Sequence, residues 1–402
     1  MRDVVILGYL RTAQSRSRPK DKQPERDWFY SLRADELLAR LLPEVLRRSG
    51  VNPQEVDDFI MGCSTGVGEN WTYGGRHPLF LADLPFTMSS KCLDQQCGSS
   101  MAALHMGYLE IASGHADVVL LGGMEHMTRV PQPGRGLHPE ALVAPPALME
   151  QARYRHWDMV TTYNMGLTAE KLGGQAGISR EEMDRWAVRS HQRAGQAQAA
   201  GFFAGEILPL ETARAEGGTM TVDQDQAVRP DADYESTAAL RPAFTADGII
   251  TAGNSSPLNA GASSMVIMAA DRARAQGLKP LAAIKALGFA GVDPTIMGAG
   301  PVPASQKALA KAGLTVQDID YWEINEAFAV VPVNCIKELG IDPERVNVHG
   351  GGVALGHPLG ASGLRLVGTL ARILQEKGGR WGLANACIGG GQGIATIIER
   401  TV

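Results

Sequence analysis

Two cysteines and a histidine stand where side chains can react. Cys97 lies in Gln95-Gln96-Cys97-Gly98-Ser99-Ser100, just where a helical pattern begins. Unpaired N–H groups and the positive end of the helix dipole favour thiolate there, and small neighbours leave the sulfur accessible. It reads either as a nucleophile or as a small buried hydrophobe. His357 lies in the glycine-rich run Gly350–Gly363, followed by Pro358. It is either a general base or a ring that caps a carbonyl. Cys387 follows an apolar run and precedes Gly389, Gly390 and Gly391. Such glycines let N–H groups face an oxyanion, or simply make a tight turn at a sheet edge.

Asn325 and Glu326 end a strand-like run in Trp322-Glu323-Ile324-Asn325-Glu326-Ala327-Phe328. An amide there can hold a water or polarise a carbonyl, the carboxylates Glu323 and Glu326 suggest acid–base or metal chemistry, and helix capping is the plain alternative. Gly62-Cys63-Ser64-Thr65-Gly66 matches a serine-hydrolase elbow in form, but the residues after it lack the helical pattern that an elbow requires.

The elements that must position these residues alternate. Val4–Leu7, Phe59–Met61 and Val118–Leu121 read as buried strands; Arg33–Arg48 and Ser99–Ser113 read as helices, the second with Gly114 as a C-cap. The pattern is α/β. From Met127 to Pro146 the chain is rich in Pro and Gly. Helices then follow over Thr168–Leu172 and from Arg180 to Ala200, the second with a capping box at Ser179 and Glu182, and residues 210 to 245 are polar and irregular. This middle reads as an inserted, loop-rich subdomain.

A shift of 263 positions lays Val51–Met61 over Leu314–Ile324, Cys97–Met101 over Gly360–Leu364, and Val118–Leu121 over Trp381–Ala384. Three separated matches at one offset imply two similar halves, each with its own sheet, around a pseudo-twofold axis.

Composition excludes several classes. The 38 basic and 43 acidic residues give a net charge of −5, with no basic run to track nucleic-acid phosphates. No apolar stretch is long enough to span a membrane, and the N-terminus lacks a signal-like core, so a soluble cytoplasmic protein is expected. Five cysteines without a Cys-x-x-Cys pair imply free thiols and no structural metal.

Taken together, the four segments resemble the thiolase family. Cys97-Gly98-Ser99 resembles its nucleophile loop, Asn325-Glu326-Ala327-Phe328 its oxyanion loop, Gly356-His357-Pro358 its base loop and Cys387-Ile388-Gly389 its second-cysteine loop. All four occur in the family's order, and the resemblance covers essentially the whole chain. Gly177–Asp184, Leu240–Phe244 and Met297–Ser305 resemble the thiolase subunit of bacterial fatty acid oxidation complexes.

The resemblance implies an α/β fold of duplicated βαβαβαββ halves in five layers, α/β/α/β/α. Residues 1–126 and 241–275 would form the N-terminal half, 127–240 an inserted loop domain, and 276–402 the C-terminal half. It implies a 3-ketoacyl-CoA thiolase, with an acetyl-CoA C-acetyltransferase as the alternative and an inactive lipid carrier or scaffold as the reading from another class. Cys97 would carry the acyl group, His357 take its proton, Cys387 act as acid or base at the α-carbon, and Asn325 hold an oxyanion-binding water. Backbone N–H groups of Cys97 and Gly389 would form an oxyanion hole, and Arg229 and Ser256 would meet coenzyme A. Coenzyme A is then substrate and product, with no permanently bound cofactor and no metal. The implied partners are a second copy, as homodimer or homotetramer, and a hydratase/dehydrogenase subunit.

Asn164 stands where short-chain members of the family often have His. This points mildly away from acetoacetyl-CoA as the dedicated substrate.

Overall fold

The computed structural model describes residues 1–19, 22–130 and 158–401. Its strands are β1 (Val4–Arg11), β2 (Ser15–Arg16), β3 (Asp58–Gly62), β4 (Ser89–Leu93), β5 (Val118–His126), β6 (Leu210–Ala213), β7 (Thr219–Val222), β8 (Asn259–Ala269), β9 (Ala282–Gly291), β10 (Tyr321–Ile324), β11 (Trp381–Ile388) and β12 (Gln392–Arg400). The large sheet runs β10-β11-β12-β9-β1-β8-β5-β3-β4, with β2 paired to β8.

Side chains on the long strands sort by strand parity into separate cores. Val4 and Ile6 of β1, Ile60 of β3, Val119 and Leu121 of β5, and Ala384 and Ile388 of β11 all face one central cluster. That cluster also takes Met101 and Leu104 from the helix Ser99–Ala112, and Leu364, Val367 and Leu370 from the helix Leu359–Lys377. The opposite faces of the N-terminal strands bury Val5, Phe59 and Val118 against the helix Ala34–Ser49. Those of the C-terminal strands bury Trp322, Leu383 and Ile397 with residues of the helices Pro301–Ala312 and Val330–Leu339. The result is helix, sheet, central helix pair, sheet, helix: the expected α/β/α/β/α order.

The 263-residue offset holds in three dimensions. The short helical turn Pro53–Glu55 leading into β3 has its counterpart in Val316–Asp318 leading into β10, and β5 and β11 begin at matching positions. One expectation changes. The two sheets are not separate, because Val4, Val5 and Ile6 of β1 pair antiparallel with Ile284, Ala283 and Ala282 of β9. Each half opens with one of these strands, and their pairing satisfies an edge that would otherwise be open inside the molecule.

Local signals act as read. Ser179 accepts from Glu182 N–H while the Glu182 side chain returns to Ser179 N–H. The helix Ser99–Ala112 ends with Ser113 as C-cap, and Gly114 takes the next, left-handed position at φ 81°. Residues 210–245 are more regular than expected, holding the β6–β7 hairpin and the short helix Tyr234–Ala238. Beyond Val130, the irregular stretch read from Met127 to Pro146 lies outside the described residues. Arg11, wholly buried, ties β1 to this region: its Nε donates to Glu206 at 2.7 Å and its Nη atoms to Asp225 at 2.7 and 2.9 Å.

Glycines set how closely the halves meet. A Cβ on Gly363 would overlap the backbone N of Met101, and one on Gly123 would lie 2.5 Å from the Gly360 carbonyl. Gly363→Ala is therefore expected to cost about 1–3 kcal/mol through overpacking. Gly174→Ala, in the helix Met165–Gln175 with open space at the Cβ position, is expected to gain up to about 1 kcal/mol from helix propensity. Chemical denaturation midpoints of the two variants check the contrast.

Candidate active site

The turn Gln96–Gly98 places Cys97 at the start of the helix Ser99–Ala112. Gln96 occupies the left-handed region at φ 47°, a conformation that costs a non-glycine residue about 1–2 kcal/mol. Hydrogen bonds hold it: Asp94 accepts from Gln96 N–H at 2.8 Å, and Ser99 Oγ donates to the Gln96 carbonyl at 2.7 Å. The turn packs on both β11 and the helix Leu359–Lys377. A Cβ on Gly98 would come 2.5 Å from the Ile388 side chain, which would have to shift to admit a larger residue.

The Cys97 sulfur is buried and receives the N–H groups of Gly389 and of Cys97 itself. Here the structure departs from the dipole argument. Burial pushes the thiol up to about 12 against those two donors, so the resting sulfur keeps its proton. Cys387 is a direct electrostatic neighbour of Cys97, and burial, then Cys97 and Cys335, hold its thiol well above the ordinary value.

His357 is fixed from three sides. Its backbone N–H donates to Asn259 Oδ1 at 2.8 Å, Nδ1 lies 2.6 Å from Ser362 Oγ, and Nε2 lies 3.2 Å from Asn325 Nδ2. Ser362 donates its own proton to the Pro358 carbonyl at 3.0 Å, so it must accept from Nδ1–H. Nε2 then carries the lone pair and accepts from Asn325 Nδ2–H, a bond that a proton from substrate or thiol would replace. Burial, then the Arg365 charge, lowers the imidazole to about 3, and the ring is neutral.

Asn325 follows β10, and its N–H donates to the Asn385 carbonyl at 2.9 Å, two residues before Cys387 on the parallel neighbour β11. Its Oδ1 is buried without a hydrogen-bond partner among the described residues, an acceptor open to a bound water or substrate. Cys97, Cys387, Asn325 and His357 thus converge where the starts of the two central helices meet the C-terminal ends of the parallel strands.

Ser256 sits beside the same loop, its N–H donating to the Ala327 carbonyl at 3.0 Å. Arg229 is anchored elsewhere, its backbone N–H donating to His191 Nδ1 at 3.2 Å. The suggested carboxylate pair divides. Glu323 pairs with buried Arg365 at 2.7 Å, while Glu326 accepts from Trp186, Ser190, Asn347 and Val353 and locks the Asn325 loop to the helix Arg180–Ala199. Glu326 has no oxygen free for acid–base work, whereas Glu323 Oε1 is buried without a hydrogen-bond partner among the described residues and burial raises that group to about 8. Among the described residues no cluster of three or more His, Cys, Asp or Glu has metal-holding geometry, and no helix is long and apolar enough to cross a membrane.

Sequence reasoning missed Ser362 and Asn259, which orient His357. The only available signal was Ser362's place in the same glycine-rich run; Asn259 lies about a hundred residues away. Asn164, noted for replacing a family His, caps the helix Met165–Gln175 by accepting from Gly166 and Leu167. Met165, next to it, lies against Gly389.

Comparison with known proteins shows the family. Residues 15–271 match the family "Thiolase, N-terminal domain" and residues 278–400 match "Thiolase, C-terminal domain". The chain is 44% identical over 412 residues to a 3-ketoacyl-CoA thiolase of Vibrio vulnificus (strain YJ016), covering all of both chains. It superimposes on the crystal structure of human mitochondrial 3-ketoacyl-CoA thiolase with a TM-score of 0.87 at 34% identity, covering 100% of this chain and 99% of that one. With the Bacillus anthracis acetyl-CoA acetyltransferase the TM-score is 0.86 at 35% identity, again covering 100% and 99%. The chain belongs to the thiolase family of acyltransferases.

Proposed function

We propose that the chain is a 3-ketoacyl-CoA thiolase working in fatty acid β-oxidation, with Cys97, His357, Cys387 and Asn325 as its catalytic residues. The supporting observation is the convergence of two buried thiols, an imidazole whose Nε2 faces the Asn325 amide, and the unpartnered oxygen of that amide.

In the degradative direction the Cys97 sulfur attacks the 3-keto carbon while His357 Nε2 takes its proton. The oxyanion meets N–H groups of Cys97 and Gly389, the pair that already point at the sulfur. Cleavage of the Cα–Cβ bond leaves an acyl group on Cys97 and the enolate of acetyl-CoA, stabilised by His357-H⁺ and an Asn325-held water. Cys387 protonates the enolate carbon and becomes a thiolate. Coenzyme A thiol gives its proton to the Cys387 thiolate and attacks the acyl thioester; the Cys97 thiolate leaves and takes the proton from His357-H⁺, and acyl-CoA departs. Condensation uses the same residues in reverse.

Coenzyme A fits beside Ser256, whose backbone is joined to the Asn325 loop, and Arg229 serves the nucleotide end of the ligand. A crystal structure of the human mitochondrial enzyme in complex with CoA superimposes with a TM-score of 0.86. The likeness to an acetyl-CoA acetyltransferase supports a second reading, which a chain-length profile separates: thiolysis confined to acetoacetyl-CoA would replace the first.

The assembly we infer is a homodimer or a dimer of dimers. Among the described residues β4 ends the sheet with only β3 as its neighbour. Exposed Trp71, Tyr73, Phe80 and Phe86 add an apolar surface on the segments before β4, in keeping with a second copy. A hydratase/dehydrogenase subunit is a further partner in this reading, in a cytoplasm that keeps the five cysteines reduced.

Incubation with a 3-ketoacyl-CoA should leave an acyl mass on Cys97 in the Cys387→Ala protein and none in Cys97→Ala, with thiolysis by Cys97→Ala down about a thousandfold or more. Full activity of Cys97→Ala sinks the mechanism. Ser362→Ala frees the imidazole to rotate and change tautomer; kcat should fall about tenfold while KM holds. For the dimer, Phe86→Lys should shift the mass measured by light scattering towards the 42.8 kDa of one chain.

A further inference from the structure

Glu125, near the end of β5, is fully buried, and no cation among the described residues pairs with it. Its partners are N–H donors. Oε2 accepts from Ser64 N–H and from Gly360 N–H, both at 3.0 Å; Oε1 accepts from Asn70 Nδ2 at 3.0 Å and Thr65 N–H at 3.3 Å. The Cys63 thiol lies 3.9 Å from Oε1.

Two of these contacts lead to the reacting groups. Ser64 Oγ donates to Gln96 Oε1 at 3.4 Å, and Gln96 is the residue in left-handed conformation that sets the direction of Cys97. Gly360 is the second residue of the helix Leu359–Lys377, three positions after His357. Gly360 also packs so tightly on β5 and Gly62 that a Cβ there would come 2.8 Å from the Cys63 backbone. One carboxylate thus joins the nucleophile turn of the first half to the base turn of the second.

We propose that Glu125 is a positioning residue that holds the Cys97 turn and the His357 turn in register, and that it does so as a carboxylate. This rests on the thiolase reading above. A carboxylate offers acceptors to all four donors, whereas its protonated form would direct an O–H into a cage of N–H groups.

Burial pushes Glu125 up to about 7, against the lowering effect of the Ser64, Gly360 and Thr65 N–H groups. The other groups facing it are Asp94 from the segment after β4, the Cys63 and Cys92 thiols, whose own values are raised, and Cys97 at about 12. His357, three residues from Gly360, sits at about 3. The thiols and the imidazole therefore titrate well away from neutrality; Glu323, beneath the Asn325 loop and paired with Arg365, is raised to about 8, so an acid limb belongs to Glu125 only if Glu125→Gln abolishes it.

The sign separates positioning from structural support. Because its folded value lies above that of an unfolded Glu, this group's contribution to stability is fully present below about pH 4 and lost as pH rises through about 7. Activity should move the other way, falling as Glu125 gains its proton. A merely structural carboxylate would make both change together.

The test is kcat and KM for thiolysis across about pH 6 to 8, with melting temperatures over the same range. Wild type should show an acid limb near pH 7 in kcat. Glu125→Gln should lose about tenfold or more in kcat at pH 8, keep KM within about twofold, and lose the limb. Its melting temperature relative to wild type should rise with pH. Ser64→Ala, which cuts only the arm to Gln96, should lower kcat and retain the limb. A flat wild-type profile, or a Glu125→Gln enzyme with wild-type kcat and limb, overturns the proposal. Wild type without thiolysis at any pH overturns the thiolase reading instead, while the pH dependence of melting still reports the ionisation of Glu125. If Glu125→Gln does not fold, Ser64→Ala and the wild-type profile decide.

Discussion

The site depends on backbone coming within contact distance of backbone at the crossing of the two halves. Gly62, Gly98, Gly123, Gly360 and Gly363 have neighbours where a Cβ would sit. Without side chains at these points, two helix starts and the ends of two groups of parallel strands occupy one small volume. Any larger residue would separate Cys97 from the segment carrying His357, so close packing and reactivity are one constraint.

Burial at this crossing sets the chemistry of the resting enzyme. Both thiols keep their protons and the imidazole stays neutral, so none of these three groups holds an uncompensated charge in a desolvated site. In the mechanism proposed above, charge develops only once substrate brings a carbonyl to the N–H groups of Cys97 and Gly389. Ion pairs lie further out: Arg365 with Glu323 beneath the Asn325 loop, where burial raises the carboxyl to about 8, and Arg11 of β1 with Glu206 and Asp225. In both places the same low-dielectric interior that strengthens the pair penalises the loss of either partner.

Much of this could be read from the chain because its signals are local. The matched turns at Pro53 and Val316, the capping box at Ser179, and the cysteine and histidine each in a distinctive short context need no knowledge of the fold. What stayed hidden is tertiary. Asn259 reaches His357 across about a hundred residues, Glu326 matters because Trp186 and Ser190 arrive from another segment, and Glu125 looks like one more residue in a buried strand. The joining of β1 to β9 was invisible for the same reason, since a three-pair ladder between strands far apart in sequence leaves no periodic trace. For Cys97 the local dipole signal was real, and desolvation, which only the fold supplies, outweighed it.

The offset of 263 also shows where the two halves have parted company. Opposite Cys97 stands Gly360, opposite Cys387 stands Met124, opposite His357 stands Asp94, opposite Asn325 stands Gly62, and opposite Glu125 stands Ile388. A symmetric pair of separate subunits repeats every substitution on both sides of its axis, whereas a tandem chain can alter one copy and leave the other. Repetition survives in the framework, division of labour occupies the centre, and neither copy alone holds all the residues proposed to run the reaction.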